Sequence, residues 1–154
     1  MIYETDNVIE INENWIYSMA NRHKPETGLP VNIWIDEAKE YLDGGHAKRL
    51  KFQINHANVV QKHNLATMTF EGKVIMTHGM ESNYELDDDD IKAVRNFMNN
   101  NLYALDKLAD EIIYSSEFDK VMIRGGKRAT EQQIEEQKKA VDNIISLRYP
   151  IKKH

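Results

Sequence analysis

The chain has 154 residues, and its 20 Lys plus Arg stand against 25 Asp plus Glu, for a formal net charge of −5. This length fits one domain, because domains most often contain roughly 100–150 residues, and a chain of this size buries enough surface for a core of its own. The sequence contains no Cys, which excludes disulfide scaffolds, thiol nucleophiles and Cys-ligated zinc.

No targeting or membrane segment is predicted. The sequence has no apolar run that approaches the ~20 residues needed to span a membrane. Residues 1–6 contain neither a basic region nor an apolar run, so we expect no signal peptide. A protein without Cys and without such segments is expected in the reducing cytoplasm.

We predict a single α+β domain over residues 1–154. It begins with an N-terminal arm, residues 1–24, whose apolar residues have helical spacing. A sheet and a long helix are expected within residues 31–123, and a C-terminal helix within residues 130–148. The expected architecture is an antiparallel sheet of three or four strands packed on the long amphipathic helix, with additional helices at both ends.

Alternation of apolar and polar residues predicts the strands. Apolar residues occupy every second position over residues 31–35 and again over residues 50–54. Two further extended segments, residues 65–70 and 73–77, are joined by a tight turn at Glu71-Gly72. Because the connections are short, we expect an antiparallel meander with one face on the core and the other exposed to water.

The strongest helical pattern follows the acidic run at residues 87–90. Apolar residues at helical spacing predict one long amphipathic helix over residues 88–113, packed on the sheet. The acidic run is expected to cap the helix and to complement the positive end of its macrodipole. The apolar stripe consists of Ile91, Val94, Met98, Leu102, Leu105, Ala109 and Ile112.

Two further elements are predicted after this helix. Ser115 and Ser116 are expected to end it, and residues 119–123 have the pattern of a short strand. Thr130 followed by Gln133 forms a capping-box pattern, which predicts the start of the C-terminal helix. That helix is expected to end before Pro150.

Two segments place a pair of glycines beside positive charge, which is the chemistry that binds an anion. Neither has the spacing of a phosphate-loop or dinucleotide-binding motif, and each also fits an ordinary turn with solubilising cations. In the first segment, Arg49, Lys51 and Gln53 are expected to share the exposed face of one strand. The candidate binding residues are Gly45, His46, Lys48, Arg49 and Lys51 in the first segment and Arg124, Lys127 and Arg128 in the second.

No strong catalytic or metal-binding motif is found. The six histidines lack the spacing of a metal site, so no metal ligand, cofactor or catalytic residue is assigned. His46 beside Lys48 and Arg49 would suit a general base in a metal-independent nuclease. The acidic run at residues 87–90 lacks the ligand spacing of a calcium loop and is interpreted as a helix cap.

The predicted long helix also suggests self-association. From Met98 onward its apolar residues follow a heptad rhythm over about two heptads, where coiled coils usually sustain three or four. Packing of this stripe on the sheet is one reading, and a homodimer formed through the helix over residues 88–113 is the other.

The order of strand, His-containing loop, basic strand, hairpin and long helix resembles a small uncharacterised bacterial α+β domain family from toxin-type and mobile-element operons. The resemblance is carried by His46-Ala47-Lys48-Arg49-Leu50-Lys51-Phe52 and extends at most over residues 31–113. This sequence lacks the prolines and the second loop histidine typical of that family. The resemblance implies a compact α+β fold and implies no activity.

Three functional hypotheses follow. The first is a small non-enzymatic binding protein, a phage- or mobile-element-type inhibitor or adaptor that acts on a host protein or defence component. The second is a binder of nucleotides or nucleic acid that uses the two Gly-Gly basic segments, although the acidic net charge disfavours generic duplex binding. The third is a metal-independent nuclease that uses His46.

Overall fold

A computed structural model describes residues 20–22, 24–35, 48–54, 65–76 and 87–148 of the chain. The strands are β1 (Ala20–Arg22), β2 (Ile33–Ile35), β3 (Arg49–Gln53), β4 (Leu65–Thr69) and β5 (Val74–Met76). The helices are α1 (Lys24–Thr27), α2 (Asp88–Asn100), α3 (Leu102–Ala109), α4 (Ser115–Val121) and α5 (Glu131–Arg148). This arrangement confirms the predicted α+β class.

The strands form one antiparallel sheet in the order β1-β2-β3-β4-β5. Strands β2 to β5 correspond to the predicted meander, and Gly72 provides the β4–β5 turn with a φ of 90°. The short β1 extends the sheet by a fifth strand at the end of the segment predicted as a helical arm. The rest of that arm prediction, residues 1–19, lies outside the described residues.

Both faces of the central strands are buried, which corrects the expected water-exposed face. One face carries Ile33, Leu50 and Phe52, each at most 1% exposed, and it packs into the hydrophobic core. On the opposite face Lys51 is 8% exposed and Gln53 is fully buried. The alternation therefore predicted correctly which side chains share a face, but a polar pattern does not show whether other parts of the chain cover that face.

The predicted single helix over residues 88–113 is two helices, α2 and α3, separated at Asn101. The buried Asn101 side chain donates to the carbonyl oxygen of Phe97 at 2.8 Å and to that of Ile123 at 2.9 Å. A side chain that bonds backbone groups in this way competes with regular helical geometry. After the break, Leu102 is 38% exposed, whereas Leu105 returns to the core.

Most of the apolar stripe that was predicted as a dimer seam is buried in the core of the same chain. Val94, Met98 and Leu105 are fully buried, and Ala109 is 1% exposed. They join the sheet residues in one core, so packing on the sheet is the reading that the structure confirms. These side chains are therefore not available as a coiled-coil seam, and a homodimer through them has no support.

The strand predicted over residues 119–123 is wrong, because residues 115–121 form helix α4. The side chain of Glu117 accepts a hydrogen bond of 2.8 Å from the backbone nitrogen of Tyr114, and this contact caps the first turn. Phe118 then points into the core with no exposed surface. Ser115 and Ser116, predicted to end a helix, begin one.

The two predicted helix starts are confirmed. Asp87 Oδ1 accepts from the backbone nitrogens of Asp89 at 2.8 Å and Asp90 at 3.2 Å, so the acidic run caps α2. At α5, Thr130 and Gln133 form the reciprocal capping box, with distances of 3.1 Å and 2.8 Å. Both caps are local interactions, which is why the sequence alone indicated them.

Candidate functional site

The first basic segment lies partly outside the described residues, and one of its described cations, Lys48, belongs to an ion-pair cluster. Lys48 Nζ lies 2.6 Å from a carboxylate oxygen of Asp106 and 2.6 Å from one of Asp110. Burial of the ammonium favours loss of its proton, but the two carboxylates outweigh burial and raise the pKa of Lys48. Lys48 thus links β3 to α3. Gly45 and His46 lie outside the described residues.

The other two cations of this segment lie on β3. Arg49 is half-buried opposite Thr69, and the buried Lys51 lies between Trp34 and Thr67 of the neighbouring strands. They share one face as predicted, but Lys51 has little access to solvent. A macromolecular surface approaching from water therefore cannot reach the ammonium of Lys51 in this arrangement.

The backbone of the second basic segment faces the protein. The nitrogen of Gly125 donates to the carbonyl oxygen of Thr27 at 2.7 Å, and Arg124 Nε donates to that of Glu26 at 3.0 Å. The carbonyl oxygen of Gly126 accepts from Asn96 Nδ2 at 2.9 Å. The Gly125 N–H, which an anion-binding loop would direct at its ligand, is therefore already used inside the protein.

The structure explains why both positions 125 and 126 of this segment are glycine. Gly125 has a φ of 97°, a conformation that side chains with a Cβ rarely adopt. A Cβ on Gly126 would lie 2.6 Å from the Cβ of Ala93 on α2. The pair therefore permits a turn and a close approach to a helix. Lys127 and Arg128 remain exposed beside it, and their predicted binding role stays a prediction.

An amide network that the sequence analysis did not identify holds this region together. Asn101 Oδ1 accepts from the backbone nitrogen of Ile123 at 2.7 Å and from Gln137 Nε2 at 2.6 Å. Asn100 bonds the backbone on either side of Arg128, through the oxygen of Lys127 and the nitrogen of Ala129. The signal for this network was the run Asn99-Asn100-Asn101 inside an apolar helical pattern, because amides at such positions need buried partners.

One concave feature of the described residues is a cleft of about 620 Å³, a volume within the usual range for binding sites. It lies where the β4–β5 turn, the α2–α3 break and helix α5 meet. Its apolar surface comes from Phe70, Leu102 and Ile134. We call it the Leu102 cleft, and the residues that line it are Phe70, Glu71, Asn99, Asn100, Leu102, Tyr103, Asp106, Ile134 and Lys138.

Charged groups of both signs surround the Leu102 cleft. Glu71 on the β4–β5 turn and Lys138 on α5 form no ion pair within the described part of the chain. Asp106 is already bound to Lys48. The cleft therefore has one acidic side chain, Glu71, and one basic side chain, Lys138, on different walls beside its apolar floor, and both can contact a ligand.

Tyr103 lines the same cleft with its hydroxyl held in place. The hydroxyl donates to Asp142 Oδ1 at 2.5 Å, and Lys107 Nζ lies 5.0 Å from the ring centroid. The hydrogen bond to Asp142, followed by burial and by nearby negative charge, raises the pKa of Tyr103. The phenol is thus kept protonated and oriented, which makes Tyr103 a fixed part of the cleft wall.

The described ranges provide no metal centre and no membrane helix. No group of three or more His, Asp or Glu residues among them is placed to hold a metal ion. No helix within the same ranges is long and apolar enough to cross a membrane. All six histidines lie outside the described residues, so the predicted role of His46 remains a prediction.

Comparison of the chain with known protein families, with curated proteins and with solved structures finds no match. The resemblance to an operon-associated bacterial family therefore remains an expectation. The functional argument depends on the geometry of the Leu102 cleft.

Proposed function

We propose that this protein is a non-enzymatic inhibitor or adaptor that binds another protein through the Leu102 cleft. The observation that carries the proposal is the partly exposed Leu102 on an apolar floor, between charges that have no ion-pair partner within the described residues. An apolar centre with a polar rim is the usual anatomy of a protein interface. The proposed partner is a short segment that inserts one apolar side chain.

The apolar floor supplies the affinity in this proposal. Phe70 is 9% exposed and Leu102 is 38% exposed, so an inserted side chain would remove mainly Leu102 from water. Interface energy is concentrated in a few such anchors that become fully desolvated. A partner with only polar side chains would gain little at this position.

The rim supplies the orientation. Glu71 and Lys138 come from different elements and carry opposite charges. A partner segment with a basic residue near Glu71 and an acidic residue near Lys138 would be bound in one direction, since the reversed segment would place like charges together. This charge order distinguishes a specific partner from any apolar peptide.

The other two functional hypotheses have weaker geometric support. In the described part of the chain, Gly125 and Gly126 serve the turn and the helix contact, and Lys48 is bound to two carboxylates. Nucleotide or nucleic-acid binding by the two Gly-Gly segments and a nuclease centred on His46 remain predictions. The identity of the partner as a host protein or defence component also remains a prediction.

Capture from a nuclease-treated bacterial lysate tests the proposal. The tagged wild-type chain, Leu102→Gln and the control Leu147→Gln are compared by mass spectrometry. Leu147 is 77% exposed and lies outside the cleft, so it matches Leu102 in chemistry but not in place. We expect a protein that the wild type and Leu147→Gln retain and that Leu102→Gln loses by at least tenfold, the effect of removing one interface anchor.

The rim is tested with the captured protein. Glu71→Lys should weaken the binding of the captured protein, whereas Glu135→Lys, at an exposed residue of α5 that does not line the cleft, should not. Capture that is equal for Leu102→Gln and Leu147→Gln would contradict the proposal. Retention of nucleic acid in place of protein, measured by absorbance at 260 nm, would contradict it as well.

A further inference from the structure

A second groove runs along a different face of helix α5 from the Leu102 cleft. Its volume is about 440 Å³, which is enough for a small ligand. One wall consists of residues 133, 136, 137 and 140, whose spacing places them on one face of α5. The other wall consists of residues 120–124, the end of α4 and the segment that follows it. No residue lines both this groove and the Leu102 cleft. We call it the Gln137 groove.

Gln137 contributes an acceptor that the described protein does not satisfy. Its side chain is 4% exposed, and its Nε2 donates to the carbonyl oxygen of Val121 at 3.1 Å and to Asn101 Oδ1 at 2.6 Å. A backbone carbonyl can only accept, so these contacts fix which end of the amide is the nitrogen. The other end, Oε1, is buried and has no hydrogen-bond partner within the described ranges. A buried acceptor without a donor costs free energy, and most such atoms in proteins are paired.

The chemistry of the groove selects a neutral donor. Gln137 Oε1 can only accept, so its complement is an N–H or O–H group, and an oxyanion would place acceptor against acceptor. The charged side chains that line the groove are Lys120, Arg124 and Glu136. Because two of these three are cations, a ligand ammonium would gain less here than an uncharged N–H would.

We propose that the Gln137 groove binds a neutral amide group of a ligand, whose N–H donates to Gln137 Oε1. The side chains of Met122 and Ala140 line the same groove and would contact the carbon atoms of that ligand. A hydrogen bond that is shielded from water is stronger than one in bulk solvent. The amide can be a primary carboxamide or a peptide group, which share this donor. The site does not depend on the proposed function of the Leu102 cleft.

Three small probes test the donor, and the full wild-type chain is used. Acetamide represents a carboxamide, N-methylacetamide represents a peptide group, and methyl acetate has the size of the latter with an oxygen in place of the N–H. Each is titrated while the side-chain amide resonances of Gln137 are followed by NMR. We expect a saturable shift with an amide, and binding of methyl acetate that is weaker by at least about fivefold, the effect of one lost hydrogen bond.

The amide that binds more tightly identifies the source as a carboxamide or a peptide group. Methyl acetate that binds as tightly as the better amide would overturn the proposal. Gln137 resonances that respond to neither amide would overturn it as well, because the acceptor would then be out of reach of a ligand.

A pair of variants tests the location. Ala140→Leu places a larger side chain in the groove and leaves Gln137 unchanged, and Leu is a good helix former, so α5 should persist. This variant should lose the shift of the Gln137 resonances. Lys139→Leu introduces the same side chain at an exposed residue of α5 that does not line the groove, and it should bind the amide as the wild type does. Equal binding by the two variants would contradict the assignment.

Discussion

At the scale of single residues, the second Gly-Gly segment shows how one sequence pattern can serve two purposes. Glycines beside Arg and Lys suggested a loop that binds an anion with its backbone. In the structure Gly125 adopts a φ of 97°, and Gly126 packs against Ala93 of α2. The backbone conformation therefore explains Gly125, and close packing explains Gly126. The exposed Lys127 and Arg128 keep the features of a binding site.

Gly126→Ala should destabilise the fold through a steric clash. Its Cβ would lie 2.6 Å from the Cβ and 2.9 Å from the Cα of Ala93, and overpacking of this kind costs roughly 1–3 kcal/mol. Urea unfolding should show a loss of roughly 2–3 kcal/mol in the free energy of unfolding. Combining the change with Ala93→Gly should recover part of the loss, because one of the two contacts disappears.

Gly125→Ala provides the matched control for that prediction. No atom lies within 4 Å of a Cβ at this position, so its cost is backbone strain alone. Adding Ala93→Gly to Gly125→Ala should recover nothing. A double-mutant cycle that finds no coupling between positions 126 and 93 would contradict the steric account.

At the scale of elements, the helix α4 and the C-terminal end of α5 are joined by one arginine. Arg148 donates to Glu117 at 2.5 Å and to the carbonyl oxygen of Ile112 at 2.8 Å, and its guanidinium lies 4.1 Å from the ring centroid of Tyr114. Three kinds of contact therefore fix the orientation of α5 relative to the segment before α4. Glu117 also caps α4, so one carboxylate serves two elements.

The Glu117–Arg148 pair should make stability depend on acidic pH. The hydrogen bond from Arg148 outweighs the effect of burial and lowers the pKa of Glu117 in the folded state. A carboxylate with a lowered pKa stabilises the fold above its unfolded pKa of about 4.3, and this contribution is lost as pH falls through the folded value. Glu117→Gln should therefore cost at most about 1 kcal/mol at pH 7, given partial exposure, and almost nothing below the lowered pKa.

The measurement is the free energy of unfolding of wild type and Glu117→Gln from neutral to acidic pH. Gln can still accept from the Tyr114 nitrogen, so the cap is kept and only the charge is removed. Glu135→Gln, at an exposed residue of α5, serves as the control. Its free energy of unfolding should differ little from that of the wild type at neutral and at acidic pH. A Glu117→Gln penalty that stays constant with pH would contradict the ion-pair account.

Local sequence signals predicted the elements whose causes are local. The strands β2 to β5, the Asp87 cap and the Thr130 capping box were all indicated by neighbouring residues. The break at Asn101 was not, because the apolar spacing continues across it. Its cause lies in partners 22 and 36 residues away along the chain, Ile123 and Gln137. The helix α4 was missed because the short apolar run Val121, Met122 and Ile123 is equally typical of a strand.

At the scale of the whole molecule, the proposed binding surface exists only because of these long-range contacts. Phe70, Leu102 and Ile134 come from three separate parts of the sequence, and Leu102 is the first residue of the helix that follows the break at Asn101. In the continuous helix predicted from the sequence, Leu102 belonged to the core stripe. The candidate site could therefore not be predicted from the sequence, whereas the α+β class could.

Site-specific photo-crosslinking tests the central claim most directly. A photoreactive phenylalanine analogue is placed at position 102 in one sample and at position 147 in another, because both leucines are exposed but only Leu102 lines the cleft. We expect a crosslink to the captured partner from position 102 and none from position 147. A partner that is captured but crosslinks only from position 147, or from neither position, would contradict binding through the Leu102 cleft.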